Sequence, residues 1–173
     1  MTDHPLPTEA EVRSYFESCS NWGRWGPDDS AGTVNLITPE KRRQAAALVR
    51  SGRPVSLAHA LNTVGDAGNL SPTHHYVQWT PAASWDFIGI RFHGYATTHV
   101  DALCHIFWEG KMWNGKDIAE GMSPLGARHG AVAAWADGIT TRGVLIDIPR
   151  LRGAASITLE SPVRGWEIEA AAE

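Results

Sequence analysis

Apolar and polar positions follow two different periods along this chain, and the first period is helical. Between residues 8 and 19 the apolar positions recur three or four residues apart, at Val12, Tyr15, Phe16 and Cys19. Thr8 and Glu11 have the spacing of a capping box, in which each side chain accepts a hydrogen bond from the other residue's backbone. Residues 8 to 19 are therefore predicted to form an amphipathic helix.

A second helix has start and stop signals of the expected kinds. Thr38 is suited to the N-cap and Pro39 to the first helical position, where its missing N–H costs nothing. Gly52 lies just beyond a run of helix-forming residues that ends at Arg50. We predict a helix from Glu40 through Arg50.

Other segments have the pattern of strands. Residues 54–60 alternate apolar and polar positions, and residues 76–80 and 85–92 are rich in β-branched and aromatic side chains. The nearly continuous apolar run at residues 144–149 is typical of a buried strand. Residues 62–72 are rich in turn-forming residues and are predicted to be a loop.

Helical patterns return in the second half of the chain. A helix is predicted to open at Ser123 and Pro124 and to run through Trp135, and residues 165–173 have helix-forming composition. Because strands and helices interleave, the sequence favours a mixed, β-rich α/β domain or an α+β domain.

Size and composition narrow the class of protein. With 173 residues, 43% of them hydrophobic and 20% charged, the chain has the size of one ordinary globular domain. The net charge is −4 and basic residues cluster only at positions 41–43, so no nucleic-acid partner is expected. No apolar run is long enough for a membrane span, and the N-terminus lacks a signal-peptide pattern, so we expect a cytoplasmic protein with no membrane partner.

The cysteines and tryptophans add two further expectations. Cys19 and Cys104 are too few for a disulfide framework or a thiolate zinc site, and both are expected to be reduced. Trp22 and Trp25 lie in a stretch of turn-forming residues, 21–33, where a solvated loop would not need them. They are candidates for the wall of a substrate pocket, or alternatively anchors that pin the loop to the core.

The segment THVDALCH, residues 98–105, contains three candidate catalytic or metal-binding residues close together. In an extended chain His99 and Asp101 project from one face about 6.6 Å apart, so one imidazole and one carboxylate can meet at a divalent ion. Mixed nitrogen and oxygen ligands suit zinc or manganese, and an open catalytic site rather than a closed structural one. His105 is either a further ligand or a general acid/base, and we favour the second role.

Two other interpretations of this stretch remain open. The histidines and the aspartate can be structural, with satisfied imidazoles and a carboxylate that caps a turn. A thiol enzyme that uses Cys104 beside His105 is a third hypothesis, although neighbouring residues of an extended chain point to opposite faces.

Two separated motifs resemble the cyclase family of metal-dependent hydrolases, which includes bacterial kynurenine formamidase and isatin hydrolase. Thr98 to His105 matches the T-H-x-D-x-x-x-H part of the family signature H-x-G-T-H-x-D-x-x-x-H. Residues 21–37 reproduce the N-W-G-x-W-G-x-x-D-x-x-G-T-x-N-x-I segment of its longer members, and residues 101–115 also resemble them. The resemblance covers roughly residues 13 to 165.

The resemblance implies a swivelling β/β/α-type domain and the hydrolysis of an amide, lactam or lactone bond in a small molecule, with aromatic substrates among the candidates. It implies that His99 and Asp101 bind one Zn²⁺ or Mn²⁺ and that His105 is the catalytic acid/base. The first signature histidine falls on Tyr95, a candidate substrate-binding residue, and the signature glycine falls on Thr97. His93 can replace the missing ligand only if the chain bends, since six residues of straight strand span about 20 Å.

The resemblance also implies homo-oligomers, because sites in this family are often completed by a neighbouring subunit. Family members continue past the point where this chain ends, and their later part supplies a histidine and a glutamate to the metal site. Residues 1–173 are therefore expected to form one cyclase-family domain that lacks the C-terminal part of the fold. The alternative function is a non-catalytic binding or assembly subunit.

Overall fold

The computed structural model describes residues 5–94 and 96–173, which divide into two compact units. The first unit contains the residues before Arg50 together with Trp135–Glu173, and the second contains Arg50–Ala134. Helices and small antiparallel two-stranded sheets make up the regular structure of the described residues. The expectation of one incomplete cyclase-family domain stays a prediction.

The predicted helices of the first unit are confirmed. Helix α1 spans Glu9–Ser18, and its capping box is formed: Thr8 Oγ1 accepts from the Glu11 backbone N–H at 3.3 Å, and Glu11 Oε2 accepts from the Thr8 N–H at 2.6 Å. Helix α2 spans Pro39–Ala46 and is capped by Thr38, so it ends four residues earlier than predicted.

The C-terminal part of this unit contains two short helices. Helix α4 spans Ile148–Arg152 and helix α5 spans Gly165–Ala172, where helix-forming composition predicted it. Arg152 joins them through two hydrogen bonds of 2.6 Å from its guanidinium group to the carboxylate of Glu167, whose residue is 3% exposed. This arrangement holds the pKa of Glu167 down, to about 2, chiefly through the hydrogen bond from Arg152.

The tryptophan-bearing loop of the first unit is ordered by one carboxylate. Asp29 accepts hydrogen bonds from the backbone N–H groups of Ala31 (3.3 Å) and Gly32 (2.8 Å) and from the side-chain amide of Asn35 (2.6 Å). A short 3₁₀ helix, Gly32–Leu36, follows, and the Trp135 indole N–H donates to the Ala31 carbonyl at 3.0 Å. The D-x-x-G-T-x-N part of the motif therefore has a structural function.

A hairpin and a small core define the second unit. Strands β1, His74–Trp79, and β2, Ser84–Gly89, pair antiparallel from His74 opposite Gly89 to Trp79 opposite Ser84, which confirms the two strands predicted there. Ala102, Cys104 and Met112 form the buried apolar cluster, with Met122 and Ala127 packed against it.

Two short strands and a one-turn helix complete this unit. Helix α3 spans Ile118–Gly121, strand β3 spans Met122–Ser123, and strand β4 spans Gly126–Ala127. A Cβ atom on Gly121 would lie 2.0 Å from the sulfur of Met112, so glycine is required for this packing. Short 3₁₀ helices lie at Leu103–His105 and Trp113–Gly115, and another, Val132–Trp135, begins in this unit and ends at the first residue of the following segment of the first unit.

Three predicted elements are wrong. Residues 54–60 form no strand, because no described strand pairs with them, and Leu57 is 86% exposed. Residues 144–149 form no buried strand either: Leu145 is 85% exposed, and Asp147 caps helix α4 by accepting from the Arg150 N–H at 3.0 Å.

The helix predicted from Ser123 through Trp135 is replaced by the β3–β4 hairpin and a later 3₁₀ turn. Ser123 Oγ accepts from the Leu125 N–H and donates to the Gly126 carbonyl, which closes the hairpin turn. Gly126 has a φ of +129°, outside the helical region, so the chain turns where the pattern predicted a continuous helix. No helix among the described residues is long and apolar enough to cross a membrane.

Candidate metal centre

Three imidazoles of the second unit face one carboxylate oxygen. Oδ1 of Asp101 lies 2.8 Å from Nδ1 of His105, 3.1 Å from Nδ1 of His93 and 3.6 Å from Nε2 of His99. The His93 ring meets the His105 ring edge-on, with centroids 4.5 Å apart, and meets the His99 ring edge-on at 5.5 Å. The four side chains thus form one cluster.

A bend in the chain brings His93 into this cluster. Gly94 follows it with a φ of +138°, a conformation that glycine adopts much more readily than residues with a Cβ atom. A straight strand would have held His93 about 20 Å from His99. From the sequence, His93 was expected to approach Asp101 only if the chain bends, and the structure has this bend at Gly94.

A backbone carbonyl fixes the orientation of His99. Its Nδ1 lies 2.7 Å from the carbonyl oxygen of Thr97, and a carbonyl can only accept, so Nδ1 carries the proton. The other nitrogen, Nε2, then presents its lone pair on the side of Asp101. The His99 side chain is 20% exposed, the least of the three imidazoles.

A 3₁₀ turn places His105 opposite Asp101. The turn, Leu103–His105, is held by a hydrogen bond from the Cys104 N–H to the Gly130 carbonyl at 3.1 Å, and the Cys104 side chain is buried in the apolar cluster. The turn therefore lets Nδ1 of His105 contact the carboxylate of Asp101, four residues earlier in the chain. The adjacent residues Cys104 and His105 have different environments, since Cys104 is buried and His105 is exposed.

The cluster lowers the pKa of the Asp101 carboxyl group. The hydrogen bond from His105 is the largest influence that lowers the pKa of Asp101, and the nearby imidazoles His93, His99 and His105 lower it further, whereas partial desolvation acts in the opposite direction. The cluster therefore favours the ionised form of Asp101, which is the form that binds cations.

The donor set fits a divalent metal ion. The ligand atoms of His93, Asp101 and His105 all lie within 4.8 Å of one another, so these three residues are a possible metal-binding group. Two imidazole nitrogens and a carboxylate oxygen suit zinc and also manganese. The sequence assigned the ligand role to His99 and Asp101, with His93 as a further candidate, and proton transfer to His105. These assignments stay predictions.

An apolar cavity of about 560 Å³ opens beside the imidazoles. His93, His99 and His105 form one part of its wall, and the rest is mainly apolar, with Phe92, Val100, Ala102, Cys104, Ala127, Ala131 and Val132. Ala131 and Val132 were not anticipated from the sequence, since small apolar residues after a glycine carry no chemical signal. Their contribution depends on how the chain folds back after strand β4.

The other predicted substrate-binding residues belong to the first unit or fall outside the described residues. Trp22 and Trp25 belong to the first unit, where Trp22 is 44% exposed and the Arg24 guanidinium group lies 4.9 Å from the centre of the Trp25 ring. Tyr95 lies outside the described residues. The roles of all three in substrate binding remain predictions.

Comparison with solved structures finds a cyclase among the similar proteins. A solved structure described as the crystal structure of a novel cyclase is 30% identical to this chain, with a TM-score of 0.77. The match covers 87% of this chain and 55% of that one, so the chain spans about half the length of its structural neighbour. No family model and no curated protein matches the chain. The structural match supports the cyclase family for this protein.

Proposed function

We propose that this protein is a cyclase-family, metal-dependent hydrolase that cleaves an amide, lactam or lactone bond of a small molecule. The observation that carries the proposal is the convergence of His93, His99 and His105 on the Asp101 carboxylate at the wall of an apolar cavity. The likeness to a novel cyclase supports it independently.

The residues that would hold the metal are Asp101, with His93, His99 or both, and His105 if it acts as a ligand. When bound, Zn²⁺ or Mn²⁺ supplies Lewis acidity that polarises a carbonyl group and lowers the pKa of a water molecule. Asp101 contributes the negative charge of the site, and the Thr97 carbonyl keeps the Nε2 lone pair of His99 available.

His105 is the residue we propose for proton transfer. Its Nδ1 is held by Asp101, so Nε2 is the nitrogen that can exchange a proton with substrate or water. The side chain is 37% exposed and also lines the cavity, which gives it access to both. Proton delivery to the leaving nitrogen or oxygen would complete the cleavage.

The cavity favours a small apolar substrate, with aromatic rings among the candidates. Its volume of about 560 Å³ lies within the usual range for small-molecule sites. Apolar side chains such as Phe92, Val100 and Val132 would exclude water from the apolar part of a bound molecule, leaving its carbonyl group towards the imidazoles.

The proposal is tested with the full chain loaded with Zn²⁺ or Mn²⁺ and assayed on an N-formyl anilide, an aromatic lactam and an aromatic lactone. Hydrolysis of at least one, lost in Asp101→Asn and His99→Ala, is expected. The control is His75→Ala, because His75 forms a similar pair with Asp86 at 2.7 Å on the β1–β2 hairpin and neither residue lines the cavity. Equal activity in the His99→Ala and His75→Ala variants would exclude the proposed site.

Metal retention and turnover, measured on the same variant, distinguish an acid/base role of His105 from a ligand role. In His105→Gln, an acid/base role predicts that metal stays bound while turnover falls by about 10²–10⁴. A ligand role predicts that metal is lost as well.

A second candidate function is a non-catalytic binding or assembly subunit. It is favoured by the many exposed apolar side chains of the described residues, which a partner could cover. A soluble chain that turns over substrate by itself would count against this candidate, and a metal-binding chain without turnover would favour it.

A further inference from the structure

A second cavity, of about 330 Å³, adjoins the candidate metal centre, and we name it the Arg91 cavity after the cation in its wall. Phe92 and His93 line both this cavity and the apolar cavity beside the imidazoles, so the two cavities are neighbours. Nδ1 of His93 lies 3.1 Å from Oδ1 of Asp101. A small molecule that binds at the imidazoles can therefore extend into the Arg91 cavity.

An ordered loop of the second unit forms one wall of the Arg91 cavity. Asp66 and Asn69 exchange two backbone hydrogen bonds, of 3.2 and 3.1 Å. Asn69 is 6% exposed, and its side-chain amide donates to the carbonyl groups of Asn62 (3.3 Å) and Val64 (2.9 Å). A buried amide whose donors are both satisfied holds its segment in one conformation. The chain thus forms this wall by itself, without a ligand.

Arg91 gives the cavity a positive charge that no neighbour balances. Arg13, Arg43 and Arg152 each pair with a glutamate. Arg91, in contrast, forms no hydrogen bond or ion pair with another residue that the structure describes. No aspartate or glutamate is among the described residues that line the cavity. The guanidinium group is therefore available to an anionic ligand.

A carboxylate is the anion that best fits this cavity. A guanidinium group presents N–H donors in a planar fork that matches two carboxylate oxygens, and the charges strengthen these hydrogen bonds. Ser71 and Thr97, both half-buried, add hydroxyl donors to the wall. One guanidinium group balances the single charge of a carboxylate. A phosphate monoester, with a charge of about −1.5 to −2, would lack a second cation among the described lining residues.

We propose that Arg91 binds a carboxylate group of the substrate, so that the substrate is a small carboxylic acid whose scissile carbonyl group lies at the candidate metal centre. This inference rests on the proposed function. Arg91 and His93 are two residues apart, so their Cα atoms are at most about 7 Å apart, and one small molecule can reach both. The apolar part of the substrate occupies the apolar cavity. Arg91 sets specificity and takes no part in bond cleavage.

The first measurement is the binding of benzoate and of benzamide to the metal-free full chain at pH 8, by ligand-observed NMR titration. Metal removal eliminates another cation that attracts carboxylates, and imidazoles with an ordinary pKa are mostly neutral at this pH. Benzoate should bind about tenfold or more tightly than benzamide, and Arg91→Gln should abolish this preference. The control Arg53→Gln should keep it, because Arg53 is an exposed arginine of the same unit that lines neither cavity.

The second measurement is turnover of three compounds that share one scissile formamide bond: formanilide, ortho-formamidobenzoate and meta-formamidobenzoate. The chain is loaded with Zn²⁺ or Mn²⁺. At least one of the two acids should have a higher kcat/KM than formanilide. Arg91→Gln should lower that ratio of kcat/KM values by about 10–150-fold, mainly through KM, as expected for the loss of hydrogen bonds to a charged group. Arg53→Gln should leave the ratio unchanged.

The two measurements separate failure of this inference from failure of the proposed function. Equal affinity of the wild type for benzoate and benzamide overturns the inference, and so does a preference for benzoate that survives in Arg91→Gln. If the preference depends on Arg91 but the loaded chain hydrolyses none of the compounds, the proposed function fails and the carboxylate site stands. If formanilide is hydrolysed as well as both acids, the proposed function stands and the inference fails.

The variant Arg91→Gln should fold as the wild type does, because Arg91 is exposed and its replacement removes no hydrogen bond to a described residue. Circular dichroism checks this. If the variant does not fold, Arg91→Lys is used instead. Lysine keeps the charge but not the planar fork, so the preference for benzoate must fall in this variant without disappearing. An unchanged preference in Arg91→Lys would overturn the assignment of the carboxylate to the guanidinium fork.

Discussion

The variant Gly94→Ala tests whether the bend in the chain is what brings His93 to the other side chains of the candidate metal centre. The φ of Gly94 is +138°, and a Cβ atom built there would meet no atom within 4 Å. Alanine would therefore create no clash, and its whole cost is backbone strain. A non-glycine residue in such a conformation costs of order 1–3 kcal/mol.

The chain can respond to this backbone strain in two ways, and each has a different measurable effect. If the chain keeps the bend, the variant unfolds about 1–3 kcal/mol more easily and binds metal as before. If the chain relaxes, His93 moves away from Asp101 and the cluster loses one of its nitrogen donors. Relaxation relieves the strain at the expense of metal binding, so the loss of affinity is limited to about 5–150-fold. We expect relaxation, because the His93 side chain is 52% exposed and can move into solvent.

The assay is a competitive titration of Zn²⁺ against a chromophoric chelator at pH 7, with urea unfolding on the same samples. The control is Gly126→Ala, since Gly126 has a similar φ of +129° and the same open surroundings but contributes no ligand. Zinc affinity should fall in Gly94→Ala and not in Gly126→Ala. Unchanged affinity and unchanged stability in Gly94→Ala, or equal losses of affinity in both variants, would refute the reasoning.

Two further predictions concern the first unit. Asp29→Ala removes the acceptor for two backbone N–H groups and the Asn35 amide, and it should lower the free energy of unfolding by about 1–3 kcal/mol, measured by urea denaturation. An unchanged midpoint would show that the loop does not depend on this carboxylate. Because the folded-state pKa of Glu167 is lowered to about 2, its contribution to stability is complete above its usual pKa near 4.5 and is lost as the pH falls towards 2. The stability difference between wild type and Glu167→Gln should therefore be large at pH 6 and shrink towards pH 2, and a difference independent of pH would contradict the role of the Arg152 pair.

The elements that the sequence predicted correctly are those specified by local chemistry. Thr8 and Glu11 specify the start of α1 through hydrogen bonds that span one turn, and Thr38 and Pro39 do the same for α2. The β1–β2 hairpin likewise depends on neighbouring residues. Such interactions require no information about the rest of the fold.

The failures occur where an element needs a distant partner. Residues 54–60 and 144–149 have the composition of strands, but a strand forms only beside another strand, and none of the described residues pairs with them. Alternation alone cannot supply that partner. The exposed Leu57 and Leu145 are the visible consequence.

The candidate site was predictable in part. His99, Asp101 and His105 are close in sequence and share one short motif, so their proximity followed from spacing. The approach of His93 depends on the φ of Gly94, and the cavity wall at Ala131 and Val132 depends on a chain reversal. Neither feature leaves a pattern in the sequence.

The metal content of the purified chain tests the central claim most directly. Protein prepared without chelators, then dialysed against trace Zn²⁺ or Mn²⁺, is analysed by mass spectrometry of its metals alongside Asp101→Ala and the control Asp86→Ala. The account predicts about one tightly bound ion per chain in the wild type and in Asp86→Ala, and loss of that ion in Asp101→Ala. A wild-type chain that takes up neither metal, or an Asp101→Ala chain that retains it, would contradict the account.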